Sequence, residues 1–240
     1  AVVPIDPLAP IAQIAPPAVL TCDQSSVLLS AAGSSAGSGY ELVWAGGLLD
    51  GTNSLTPTVA QPGSYSLSIT DVNNGCTAVA NVAVLQDILP PVAEAGSNFI
   101  IPCFPELRQL NGSNSSTGPA FSYAWSSADG VLLDGEQTPT PTIESPGTYT
   151  LVVTDTTNGC TATDSVLVSQ DLPTVAASTM QPDCYGDAGF IHFESAEDGT
   201  PPYVYSIDGG STYQSTPLFQ GLSPGSYSLV VQDINGCEDV

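Results

Sequence analysis

Apolar positions in this chain alternate with polar ones in short runs, and no 3.6-residue apolar period is sustained anywhere. The clearest run, Pro62-Gly63-Ser64-Tyr65-Ser66-Leu67, reads as a tight turn entering a half-buried strand. A second turn follows at Asn74-Gly75-Cys76. The same cassette returns as Pro146-Gly147-Thr148-Tyr149-Thr150-Leu151, closing at Asn158-Gly159-Cys160, and as Pro224-Gly225-Ser226-Tyr227-Ser228-Leu229, closing at Asn235-Gly236-Cys237. A cassette recurring about every 80 residues defines a repeat array, which takes precedence over any single-domain reading. Short strands, 23 glycines and 21 prolines predict an all-β chain with almost no helix.

The period divides the chain into residues 1–6, the tail of a preceding repeat; 7–87, a first repeat; 88–171, a second; and 172–240, a third that stops before an equivalent closing strand. Residues 1–6 belong to a preceding repeat because Ala1-Val2-Val3-Pro4-Ile5-Asp6 matches Val82 to Asp87 and Val166 to Asp171. On this reading the chain is a window cut from something longer. Proline-rich joints at Pro7 to Pro10, Leu89-Pro90-Pro91 and Leu172-Pro173 are short and stiff, which implies an elongated array.

Within the first two repeats a tryptophan closes an alternating segment, Tyr40 to Trp44 and Phe121 to Trp125. Trp44 and Trp125 are expected to anchor a core between two sheets, with a sugar-stacking platform as the sharper alternative. Tyr65, Tyr149 and Tyr227 follow the Pro-Gly turn, where a corner tyrosine buries its ring and bonds its hydroxyl to backbone. The third repeat replaces the tryptophan with Pro201-Pro202-Tyr203-Val204-Tyr205 and is a distinct subtype.

Charge narrows the partners. Twenty-four acidic residues stand against one basic residue, Arg108, for a formal net charge of -23. Such a surface repels nucleic acid and anionic membranes, and no apolar run approaches a membrane span. The expected partners are neighbouring repeats, other copies in a fibre, and surface glycans or target cells. An extracellular, cell-surface setting follows from the cysteines, one early and one late in each repeat. Their regularity argues for pairing within each repeat: Cys22 with Cys76, Cys103 with Cys160, Cys184 with Cys237. Buried free thiols and a metal cluster are the weaker alternatives, the second because the spacings contain no Cys-x-x-Cys. Each such bridge would close a loop of about 55 residues and contribute about 4 kcal/mol by chain entropy.

The chemistry of catalysis is thin. His192 is the only histidine, in Phe190-Ile191-His192-Phe193, and reads as a solvent-facing strand position opposite two phenylalanines. No catalytic residue, cofactor-binding residue or metal ligand set is assigned, and the chain is read as no enzyme. Calcium is the one ion considered, with oxygen ligands at Asp87 and Glu94, at Asp129, Asp134 and Glu136, and at Glu194, Glu197 and Asp198, none in a recognised spacing. Asn111-Gly112-Ser113 and Asn114-Ser115-Ser116 are glycosylation sequons, while Asp155-Thr156-Thr157 and Asp164-Ser165-Val166 have the form of an O-glycosylation motif.

With these residues in view, the first two repeats resemble PKD-like, immunoglobulin-type repeats of giant Bacteroidota surface proteins. The resemblance rests on Leu110-Asn111-Gly112-Ser113, the Trp125 strand, Pro146-Gly147-Thr148-Tyr149 and the closing Asn-Gly-Cys-Thr. The third resembles the repeat of the SprB gliding adhesin through Gly199 to Tyr205, Gly221-Leu222, Pro224 to Tyr227 and Asp233 to Cys237. The resemblance implies tandem immunoglobulin-like β-sandwiches of a filament, stalk or adhesin, secreted by the type IX route. The alternative reading is a tandem array of carbohydrate-binding modules, with Tyr203, Tyr205 and Tyr213 as exposed stacking aromatics.

Overall fold

The computed structural model describes residues 8–103, 107–180 and 188–239, and among them every regular element is a β-strand. The proposed tail at 1–6 and Cys184 lie outside the described residues.

The first repeat contributes β1 (Leu20–Thr21), β2 (Val27–Leu28), β3 (Tyr40–Ala45), β4 (Leu48–Asp50), β5 (Thr58–Val59), β6 (Gly63–Asp71), β7 (Thr77–Val84) and β8 (Gln86–Asp87). They form a β2-β5-β4 sheet, a β3-β6-β7 sheet, and a parallel pair of β1 with β8. This is the strand order of an immunoglobulin-like sandwich: three strands per face, with an early strand running parallel to the last one. The alternation in β6 explains its place, because Tyr65, Leu67 and Ile69 point inward while their neighbours do not. Complete burial of Leu67 and Ile69 contributes about 1.5–3 kcal/mol each. They pack with Val27, Leu29, Val59, Trp44 and Val84 in one core.

The second repeat builds the same pattern from β9 (Phe99–Ile101), β10 (Arg108–Gln109), β11 (Phe121–Ser127), β12 (Leu132–Asp134), β13 (Thr142–Ile143), β14 (Gly147–Asp155) and β15 (Thr161–Gln170). Its sheets run β10-β13-β12 and β11-β14-β15-β9, with β9 parallel to β15. The third has β16 (Ala177–Met180), β17 (Gly189–Phe193), β18 (Val204–Ser206), β19 (Leu218–Leu222), β20 (Val230–Gln232) and β21 (Glu238–Asp239) in sheets β16-β17-β19 and β18-β20-β21. Its core is Ile191, Phe193, Tyr205 and Val231, with Phe193 tilted against Tyr205 at 5.0 Å between ring centres.

Among the described residues no sheet takes strands from two repeats. By compactness, however, the chain divides differently, into one unit of residues 1–92 with 117–122 and 154–162, and a second holding the rest. Two turns of the second repeat therefore belong to the same compact unit as the whole first repeat.

Candidate functional site

The residues singled out by sequence fall into structural anchors and a cysteine clasp. Trp44 and Trp125 are 8% and 5% exposed, and their indole N–H groups donate to the carbonyls of Ser54 (2.9 Å) and Thr138 (3.0 Å). Buried and hydrogen-bonded, neither offers a face to a sugar. The Tyr65 hydroxyl donates to the Gln61 carbonyl at 2.8 Å and the Tyr149 hydroxyl to Ser145 at 2.7 Å, the geometry of a tyrosine corner. Both rings are buried, and each lies against a glycine of the turn after the tryptophan strand, Gly46 and Gly130.

Tyr227 departs from its expected burial. Its hydroxyl makes the same bond, to Ser223 at 2.7 Å, but the side chain is 37% exposed. The strand that should carry it inward, β20, begins only at Val230, so the ring never passes between two sheets. Tyr205, expected on the surface as a stacking aromatic, is buried in the third core. Tyr203 and Tyr213 are half-buried, and their hydroxyls donate to the Asp198 carbonyl and the Glu238 carboxylate. Burial, with the Glu238 carboxylate adding to it, pushes the Tyr213 phenol up to about 12. His192 is half-buried on β17 and shares its face with Phe190; only Ile191 and Phe193 point inward.

The cysteines overturn the expected pairing. Cys22 is bonded to Cys160, not Cys76, with 5.0 Å between Cα atoms, and Cys103 to Cys237, not Cys160, with 5.3 Å. Cys76 is a free thiol. The reason is strand direction. Leu20 pairs in parallel register with Gln86, so Cys22 lies at the far end of the closing strand, about twelve residues or roughly 40 Å from Cys76 at its start. A disulfide needs Cα atoms within about 7 Å. Ile101 pairs with Gln170 in the same way, which carries Cys103 about twelve residues, again roughly 40 Å, from Cys160. Cys22 and Cys103 instead each meet the last turn of the following repeat.

That turn is built by short-range hydrogen bonds. In the second repeat Asp155 N–H donates to the Cys160 carbonyl, Gly159 N–H to the Asp155 carbonyl, and Cys160 N–H to the Asn158 side-chain oxygen. The Asp155 carboxylate accepts the Thr157 hydroxyl at 2.6 Å and its N–H at 2.9 Å. These bonds, the hydroxyl foremost, hold the carboxyl below its usual range. The early-cysteine segment then docks on the turn: Cys22 and Asp23 N–H groups both donate to the Asn158 carbonyl, at 3.0 and 3.4 Å. The Asn158 amide donates to the Asp87 carboxylate and the Leu89 carbonyl. Asn158 and Cys160 are buried as a result.

The oxygen ligands considered for calcium are engaged elsewhere or scattered. Asp87 accepts from Asn158, and Asp129 accepts the Thr148 N–H and the Ser127 hydroxyl, with the Thr148 bond doing most to lower its carboxyl. Among the described residues no group of three or more His, Cys, Asp or Glu side chains is placed to hold a metal ion. In the glycosylation triplets, Ser115 is buried and bonded to Glu94, and Asp164 accepts the Ala95 N–H at 2.7 Å.

No family model matches the chain, and no curated protein sequence matches it. Solved structures similar to it include an I-band fragment of titin (12% identity, TM-score 0.40, covering 96% of this chain and 97% of that one). Three N-terminal domains of the outer capsid protein Hoc of bacteriophage RB49 match at 16% identity and TM-score 0.38, over 95% of this chain and 85% of that one. Extracellular domains 3–5 of Drosophila OTK match at 13% and 0.31, over 95% and 92%. The immunoglobulin-like assignment rests on the strand order and the tyrosine corners described above.

Proposed function

We propose that this chain is a non-enzymatic structural and adhesive segment of a large extracellular bacterial surface protein, a stalk, filament or adhesin of the PKD-like and SprB-like kind exported by the type IX route. The observation that carries the reading is the stagger of the disulfides, which tie Cys22 and Cys103 each to the following repeat instead of closing a repeat on itself. Such a stagger serves a chain under tension. Pulled from its ends, the stretch from Cys22 to Cys237 would extend to roughly 750 Å if all its backbone could straighten. With both bridges intact, the shortest covalent path crosses only the backbone between Cys103 and Cys160, roughly 200 Å. Two bridges closing loops of 138 and 134 residues also restrain the unfolded chain, by about 5 kcal/mol for a loop of that length taken alone. The acidic surface and persistent disulfides suit an oxidising, extracellular setting.

Single-molecule pulling between the chain ends tests this. The oxidised chain should release no more than about 200 Å of contour between the two outermost bridged cysteines, rising to roughly 750 Å after reduction. Full extension without reductant would contradict a tension-bearing clasp.

A further inference from the structure

The closing turn of the first repeat repeats the geometry of the turn that receives Cys22, residue for residue. Asp71 N–H donates to the Cys76 carbonyl at 2.9 Å, Gly75 N–H to the Asp71 carbonyl at 2.7 Å, and Cys76 N–H to the Asn74 side-chain oxygen at 2.8 Å. The corresponding bonds around Cys160 measure 2.9, 2.8 and 2.9 Å. Even the second anchor matches: the Asn74 amide donates to the Leu8 carbonyl at 3.1 Å, as the Asn158 amide does to Leu89 at 3.1 Å.

The two turns differ in what covers them. A Cβ built on Gly159 would strike the Asp23 carboxylate, whereas one built on Gly75 meets nothing within 4 Å among the described residues. Asn158 and Cys160 are 3% and 1% exposed; Asn74 and Cys76 are only partly buried, and Cys76 carries a free thiol. The first turn is thus preformed for an occupant that the second turn already holds.

We propose that Asn74-Gly75-Cys76 is a docking and disulfide-bonding site for the early-cysteine segment of another repeat of this type, a strand end of the form Leu-Thr-Cys-Asp. The segment seats its cysteine and following N–H groups on the Asn74 carbonyl and its aspartate over Gly75. The thiol of Cys76 and that of the incoming cysteine then form one S–S bond. The two protons and two electrons they lose pass to a disulfide oxidant of the oxidising compartment, which leaves as a dithiol. The stagger so continues by the rule that pairs Cys22 with Cys160 and Cys103 with Cys237. The inference rests on this geometry and stands whether or not the protein is an adhesin.

The test uses the full chain and a synthetic peptide with the sequence of residues 15–25, incubated together in a glutathione redox buffer and mapped without reduction. The peptide's two backbone bonds to the turn should favour its mixed disulfide with Cys76 over glutathione by about tenfold, and over the same peptide in reversed sequence by a similar factor. An Asn74→Ala chain keeps the docking carbonyl but loses the side-chain bonds to Cys76 N–H and to the Leu8 carbonyl that hold the turn, so the preference should fall several-fold. Equal capture of the forward and reversed peptides on the unaltered chain would overturn the proposal, and that comparison needs no variant to fold.

Discussion

Asp23 lays its carboxylate against Gly159, where a Cβ on that residue would strike it. Glycine at 159 is required by its positive φ of 73°, and a Cβ there would also push aside the exposed Asp23 carboxylate; at Gly75, with φ of 75°, only the backbone requirement applies among the described residues. Alanine at either site should cost about 1–2 kcal/mol of backbone strain. Gly159→Ala should in addition displace the Asp23 carboxylate and loosen the Cys22 segment beside it. Timed reduction by dithiothreitol should show Cys22–Cys160 opening several-fold faster in Gly159→Ala, with no change in Gly75→Ala.

The corner tyrosines are predicted to differ in weight. Tyr149→Phe removes a 2.7 Å bond to the Ser145 carbonyl beneath a buried ring and should destabilise the chain by about 1 kcal/mol. Tyr227→Phe removes a bond of equal length at an exposed ring, where water replaces it, and should change stability by less than half as much. Denaturant unfolding of the oxidised variants compares the two.

Trp125→Ala should be the most costly of the single core changes considered. It empties a large volume between the sheets and strands the Thr138 carbonyl, for a loss of about 3–5 kcal/mol. Trp44→Ala should behave alike, since it strands Ser54 in the same manner. Unfolding midpoints in urea at constant slope provide the check.

Acid should act late on the third repeat. The Asp208 carboxyl is lowered to about 2, first by the Thr212 hydroxyl and then by the Ser206 hydroxyl and the Thr212 N–H. Because the folded value lies below the unfolded one, about 3.9, the ionised carboxylate stabilises the fold above that higher value. Its contribution then fades as pH falls through about 2. A carbon-detected titration of the side-chain carboxyl should place Asp208 about two pH units below an unshifted aspartate; titration near 4 would contradict the Thr212 and Ser206 bonds.

How much of this was legible beforehand depends on whether the information is local. Trp44, Trp125, Tyr65 and Tyr149 could be read because a Pro-Gly turn and a period-2 strand determine which way those side chains face. Tyr227 and Tyr205 misled because the third repeat shortens its strands: β20 starts too late to enclose one, and β18 turns the other inward. The disulfides were misread because regular spacing does not reveal strand direction. Two short runs held the missing signal, Val19-Leu20-Thr21 before Cys22 and Ile100-Ile101-Pro102 before Cys103. Each is an early strand, and set parallel to the last strand it carries its cysteine to the opposite end of the sandwich.

The staggered clasp is tested most directly by proteolysis of the oxidised chain under acidic, thiol-blocked conditions, followed by mass spectrometry of the linked peptides. The account predicts Cys22 joined to Cys160, Cys103 joined to Cys237, and Cys76 recovered with the blocking group attached. Peptides joining Cys22 to Cys76 and Cys103 to Cys160 would contradict it.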